Sequence, residues 1–183
     1  MWQLPTSEEI VYDSIIDGAG SNLPRLESGC SQPCIAIPIQ AKLQVRGEII
    51  GLIEELKTWI SSRKLKISGP MFYRYWIMSH ADEPLTMEVG FPVCTPVDGD
   101  NRVIVGTIPM GTFATLVHCG HPDTINRSAD VLKSWTEQQS LQLQMHRKGN
   151  HDVWAGRFEF YLTNPASEPD PNKWRTALAF LIE

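Results

Sequence analysis

Apolar and polar residues alternate along much of Cys34-Ile-Ala-Ile-Pro-Ile-Gln-Ala-Lys-Leu-Gln-Val45, and a period of two predicts a strand with one buried face. After Gly47 the period changes. Ile49, Leu52, Ile53, Leu56 and Trp59 or Ile60 recur at i, i+3, i+4 and i+7, which predicts an amphipathic helix over residues 48–60. Beyond Gly69-Pro70, the aromatic run Met71-Phe-Tyr-Arg-Tyr-Trp-Ile-Met78 predicts a strand, and Leu85 to Val93 predicts another. Arg102 to Ile108 and Gly111 to His118 read as strands broken by Pro109. Asp123 or Thr124 is placed to cap a helix running to about Gln139. Strands are expected again from Arg157 to Thr163 and from Trp174 to Ile182, with the polar segment Gln144 to Asp152 read as a loop. Residues 1–31 hold Pro5, Gly18, Gly20, Pro24 and Gly29 with one short apolar run, Ile10 to Ile16. They read as a partly ordered extension before a domain over residues 32–183.

The pattern repeats within that domain. The first helix carries Leu56-Lys-Thr-Trp59 and the second Leu132-Lys-Ser-Trp135, and each is followed by an aromatic strand and then an apolar one. The expected architecture is α+β, with two strand-helix-strand-strand modules at about residues 33–95 and 102–183. Aligning them on the tryptophans places Tyr75 opposite Tyr161 and Tyr73 opposite Glu159. A site between the halves is the natural expectation.

Charge and composition narrow the possible roles. Hydrophobic residues make up 42% of the chain, enough for a real core. The formal charge of −5, with basic residues scattered singly, disfavours direct binding to nucleic acid. No apolar stretch approaches the roughly 20 residues needed to cross a bilayer, and no secretion signal is evident at the N-terminus, so the expected location is the cytoplasm. Cys30, Cys34, Cys94 and Cys119 are therefore expected as reduced thiols. No metal-ligand spacing and no cofactor or nucleotide motif is present; His118, Cys119 and His121 form the densest cluster of possible ligands.

The strand Arg157-Phe-Glu-Phe-Tyr-Leu-Thr163 is the most informative local feature. Alternation puts Phe158, Phe160 and Leu162 on one face and Arg157, Glu159, Tyr161 and Thr163 on the other. If the second face lines a cleft, Glu159 is a desolvated anion among aromatic rings, which must be paired, protonated or poised for a cation. The alternative is a solvated face, with Glu159 neutralised by Arg157 or by Arg74 across the sheet. Glu88 is expected in a surface or turn-pairing role. His118 and Cys119 are neighbours on a strand and should face opposite ways, so structural roles are expected for both rather than a nucleophile–base pair.

Four segments in order resemble the GyrI-like small-molecule-binding domain, which is also the effector-binding domain of AraC-type and MerR-type multidrug-responsive regulators. They are Gly69-Pro-Met-Phe-Tyr-Arg-Tyr75, Met87-Glu-Val-Gly-Phe-Pro-Val93, Ile108-Pro-Met-Gly-Thr-Phe-Ala-Thr-Leu-Val-His-Cys-Gly120, and Glu159-Phe-Tyr-Leu-Thr-Asn-Pro165 followed by Trp174-Arg-Thr176. The resemblance implies pseudo-twofold modules forming an antiparallel sheet, with helices on one face and a central cleft. There a glutamate, matched by Glu159, meets aromatic and cationic ligands. Tyr73, Tyr75, Phe113, Trp154, Tyr161 and Trp174 are the implied cleft-lining aromatics. The resemblance further implies a stand-alone multidrug-binding, sensing or sequestering domain without cofactor, with a small molecule as partner and a protein partner unsupported by specific residues. Some stand-alone relatives hydrolyse cyclopropane-containing DNA-alkylating natural products, which would assign Glu159 with Tyr75 or Tyr161 to catalysis.

Overall fold

The computed structural model describes residues 22–41, 46–79 and 84–183. Ten strands run as β1 Arg25–Gly29, β2 Gln32–Ala41, β3 Phe72–Ser79, β4 Leu85–Pro92, β5 Ile104–Ile108, β6 Gly111–Cys119, β7 Met145–Lys148, β8 His151–Trp154, β9 Arg157–Tyr161 and β10 Arg175–Leu181. Helix α1 spans Arg46–Ser62 and α2 spans Ile125–Gln138. The strands form one curled antiparallel sheet in the order β1-β6-β10-β9-β3-β4-β2-β5, with β8 also pairing β3 and β7 pairing β8. The α+β fold expected from the sequence is the fold observed.

Strand register explains how the two faces differ. Across the sheet, Leu116 pairs Leu178, Leu178 pairs Glu159, Glu159 pairs Tyr73, Tyr73 pairs Val89, and Val89 pairs Ile37, so these side chains form one row on one face. Helix α2 covers one end of that face: Ile125, Ala129 and Leu132 join Leu116, Leu178, Phe180 and Trp154 in one apolar cluster. Helix α1 covers the other end, where Leu56 and Ile60 pack with Ile35, Ile37, Phe91 and Val93. Glu159 and Tyr73 sit in the middle of the row, between the helices.

The opposite face encloses its own core. Cys34, Phe72, Ile108, Phe113, Val117, Phe158 and Phe160 form one cluster drawn from strands across nearly the whole sheet, which the sheet curls to bring together. Gly90 is required here. A Cβ at that position would run into the ring of Phe72, its cross-strand partner, and into the carbonyl of Ile35.

One sequence expectation is corrected. The segment Gln144 to Asp152, expected as a loop, forms the hairpin β7–β8, with Gly149 at φ +62° in its turn and β8 paired to the end of β3 through Ile77, Met78 and Ser79. Its residues are mostly polar, so no apolar alternation announces the strands. The end of the N-terminal extension forms the edge strand β1 on β6, and its single large apolar side chain, Leu26, remains 47% exposed. Residues 1–21, with the apolar run Ile10 to Ile16, and the predicted strand end at 42–45 lie outside the described residues. Thr124 does precede α2 as its cap position but makes no side-chain cap bond; His121 instead accepts a bond from the amide of Asp123 in the short turn Pro122–Thr124.

Candidate functional site

Strand β9 is short, and both of its faces are buried. Phe158 and Phe160 stack at 5.5 Å in the enclosed core, while Arg157, Glu159 and Tyr161 point to the helix side. Glu159 is 4% exposed. The Tyr161 hydroxyl donates to its Oε2 at 3.1 Å, and the rings of Tyr161 and Tyr73 meet at 4.7 Å between centroids. Tyr73, Tyr75 and Tyr161 are each half-buried, so the tyrosines form the outer layer over the carboxylate. Neither of two open surface hollows touches this group: one is lined by Pro38, Leu52 and Glu55, the other by Thr136, Gln142 and Met145. The tyrosines close the space above Glu159.

Burial pushes the Glu159 carboxyl above its ordinary range; the Arg157 guanidinium pulls it back, and the hydroxyls of Tyr161 and Tyr75 add smaller pulls in the same direction. The hydroxyls of Tyr75 and Tyr161 are themselves driven well above 10 by burial first and by the neighbouring carboxylate second, so they act as hydrogen-bond donors at neutral pH. Arg157 is 4% exposed and packs against the rings of Tyr75, Trp154 and Phe180, at 5.4, 5.1 and 5.0 Å from its Cζ to their centroids. Burial lowers its pKa, opposed mainly by Glu159.

The structure thus brings Glu159 together with Tyr73, Tyr75 and Tyr161, and links Trp154 to them through Arg157. Phe113 lies on the other face of the sheet, packed edge-on against Phe158 at 6.3 Å. Alternation on β6 sends it inward because its neighbour Ala114 takes the helix side. Trp174 stands just before β10, stacked on His121 at 5.8 Å with its indole nitrogen donating to the Glu168 carbonyl. Sequence reasoning weighed Arg157 only as a neutralising partner; the signal it missed is a cation whose neighbours at i−3 and across the strand are aromatic.

Glu88 departs from the surface role expected of it. It is 4% exposed on the enclosed face, where Trp76 donates to its Oε2 at 3.0 Å and Arg74 Nη1 lies 3.8 Å from its Oε1. Cross-strand register put Arg74 beside Glu88 on that face, so Arg74 does not serve Glu159. The adjacent Cys34 thiol is pushed up to about 12, chiefly by burial, and is inert as a nucleophile. His118 and Cys119 face opposite ways as expected. His118 is held between Ser128 Oγ at 2.9 Å and the His121 carbonyl at 3.2 Å, while Cys119 reaches Asn22. Among the described residues no group of three His, Cys, Asp or Glu side chains is placed to hold a metal ion, and no helix is long and apolar enough to cross a membrane.

Residues 33–182 match the model of the GyrI-like small molecule binding domain. The chain belongs to that family. No curated protein sequence matches this GyrI-like chain. Among solved structures, the C-terminal domain of EcmrR superposes with a TM-score of 0.74 at 18% identity, over 88% of this chain and 97% of that one. In the EcmrR–DNA complex the chain spans 57% of the EcmrR chain, at 17% identity and the same TM-score of 0.74. A hydrolase from Listeria innocua superposes at 0.59 with 13% identity, over 89% of this chain and 93% of that one. SAV2435 bound to tetraphenylphosphonium superposes at 0.53 with 13% identity, over 88% and 94%. At these identities the superpositions establish a shared fold.

Proposed function

We propose that this chain binds flat, hydrophobic, aromatic small molecules bearing a cationic group, in the gap between α1 and α2 over the β9–β3 pair, and so senses or sequesters them. One observation carries the reading. A buried carboxylate, Glu159, lies beneath three half-buried tyrosines on the helix side of the sheet. A desolvated carboxylate attracts a cation strongly, and tyrosine faces add roughly 0.5–2 kcal/mol each through stacking and cation–π contact. The tetraphenylphosphonium bound to SAV2435 is a ligand of this chemistry. Because the Tyr73 and Tyr161 rings touch, a ligand must part them, a change of side-chain rotamers.

The symmetry expected from the repeated helix motif is part of the proposal. Outward from the β9–β3 pair the order is β10, β6, β1 on one side and β4, β2, β5 on the other, and each half contributes one helix. This supports two pseudo-twofold modules with the site on their common axis.

The test is fluorescence titration with the ethyl ester of rhodamine B, a fixed lipophilic cation. Glu159→Gln should weaken binding about 10- to 100-fold, the loss of a charge-assisted contact. Unchanged affinity would remove Glu159 as the anchor.

A second reading is supported by the Tyr161 bond to a carboxyl whose pKa is raised by burial, because a positioned carboxyl beside a hydroxyl donor suits proton transfer. In that reading Glu159, with Tyr161 or Tyr75, activates water to open a cyclopropane-containing alkylator. Mass detection of the water adduct tests it, and turnover no faster than buffer, or unchanged in Glu159→Gln, would eliminate it.

A further inference from the structure

Arg157 is buried, yet much of its hydrogen-bonding capacity is unused. Its Nε and Nη1 have no hydrogen-bond partner among the described residues, and neither does Nε1 of Trp154, which is 1% exposed. The rings of Tyr75, Trp154 and Phe180 surround the guanidinium, and the ring faces it meets accept no conventional hydrogen bond from its N–H groups. Orphaned buried donors are rare in folded proteins, and they cost most when the donor is charged. Arg74 shows the contrast within the same molecule. It too lies against an aromatic ring, Trp76, but its Nη1 donates to the Thr107 carbonyl at 3.2 Å and its Nη2 to the Ala155 carbonyl at 2.8 Å, leaving only Nε without a partner.

The charges around Arg157 make the position selective. Glu159, Asp152 and Asp130 attract the guanidinium. On the other side stands Lys133 of α2, with Nζ 5.5 Å from the centre of the Trp154 ring and its own charge disfavoured by burial and by Arg157. Arg157 and Lys133 both lie against the Trp154 ring, so an oxyanion there meets two cations and relieves their mutual repulsion, with Glu159, Asp152 and Asp130 opposing it. Arg157 and Glu159 are two residues apart on one strand face, roughly 7 Å along the strand. A ligand bridging them must hold its opposite charges about one aromatic ring apart, farther than in a free amino acid.

We propose that the ligand is a zwitterionic aromatic compound whose carboxylate is received by Arg157 and the Trp154 indole N–H while its cationic end faces Glu159. The proposal rests on the reading of the gap between the helices as the ligand site. Glu159 supplies the anionic half of the recognition and Arg157 with Trp154 the cationic, donating half, with the tyrosines covering the plane of the ring system.

Rhodamine B and its ethyl ester share every ring and differ in having a free or a blocked carboxylate. With the free acid ionised, the wild-type protein should bind rhodamine B at least about tenfold more tightly than the ester, the worth of one charge-assisted contact. In Trp154→Phe, which keeps an aromatic ring and removes the N–H, the ratio should fall several-fold. In Arg157→Met it should fall to within about twofold of unity. Should Arg157→Met not fold, the wild-type ratio and Trp154→Phe still decide. Equal or tighter wild-type binding of the ester overturns the proposal while leaving the cationic cleft standing. A preference that survives both substitutions also overturns it. Failure of either dye to bind overturns both the proposal and the reading on which it rests.

Discussion

Glu159 shows how much chemistry one register position can decide. Its cross-strand neighbours on the helix side are Leu178 and Tyr73, so the carboxylate stands between an apolar side chain under α2 and an aromatic ring at the gap. Burial raises its pKa above the ordinary 4.5, and a cationic ligand binds the ionised form. Affinity for a fixed cation should therefore climb as pH rises from about 4.5 through the raised value and level off above it. Titrations with the rhodamine ester across that range check the sign. In Glu159→Gln the curve should be flat, and a wild-type affinity that falls with rising pH would contradict the assignment. The alternation that placed Glu159 opposite Phe158 and Phe160 was legible in the sequence, because a strand has a strict period of two. Its burial was not, since that depends on tyrosines and helices remote in sequence.

At the scale of elements, α1 was readable because apolar residues such as Leu56 and Ile60 recur with helical spacing, and α2 because a cap candidate precedes the string Leu132-Lys-Ser-Trp135 that echoes α1; Leu56, Ile60 and Leu132 end up fully buried. The hairpin β7–β8 was hidden for the opposite reason: it gains its place through backbone pairing to β3, with Arg147 and Lys148 exposed. Strand β1 was missed likewise, an edge strand with one exposed leucine. Gly90 carries a packing requirement that its surroundings, not its own pattern, reveal. Gly90→Ala should cost about 1–3 kcal/mol as the Phe72 ring is forced aside, read as a lowered urea midpoint with an unchanged m-value. Unchanged stability would show that the enclosed core yields more easily than its packing suggests.

At the scale of the molecule, two buried arginines divide the work between the sheet's two faces. Arg157 lies on the helix side, with the proposed site, and Arg74 on the enclosed side, where it ties Thr107 of β5 to Ala155 ahead of β9 and approaches Glu88. Removing Arg74 leaves Glu88 buried with the Trp76 N–H but without its cation, so Arg74→Met should cost about 3–5 kcal/mol in urea denaturation, and adding Glu88→Gln should recover part of that loss. Strictly additive effects would mean the two charges do not depend on each other. Such long-range pairs were illegible from the chain alone: Arg74 and Glu159 sit on neighbouring strands, and only the register of β3 against β9 sends their side chains to opposite faces.

The central claim is that ligand binds between α1 and α2, against the tyrosines over Glu159. Nuclear Overhauser measurements on the protein saturated with rhodamine ester test it most directly. The account predicts contacts from the dye's ring protons to the ring protons of Tyr73, Tyr75 and Tyr161; contacts confined to other surfaces, such as the hollow lined by Pro38, Leu52 and Glu55, would contradict it.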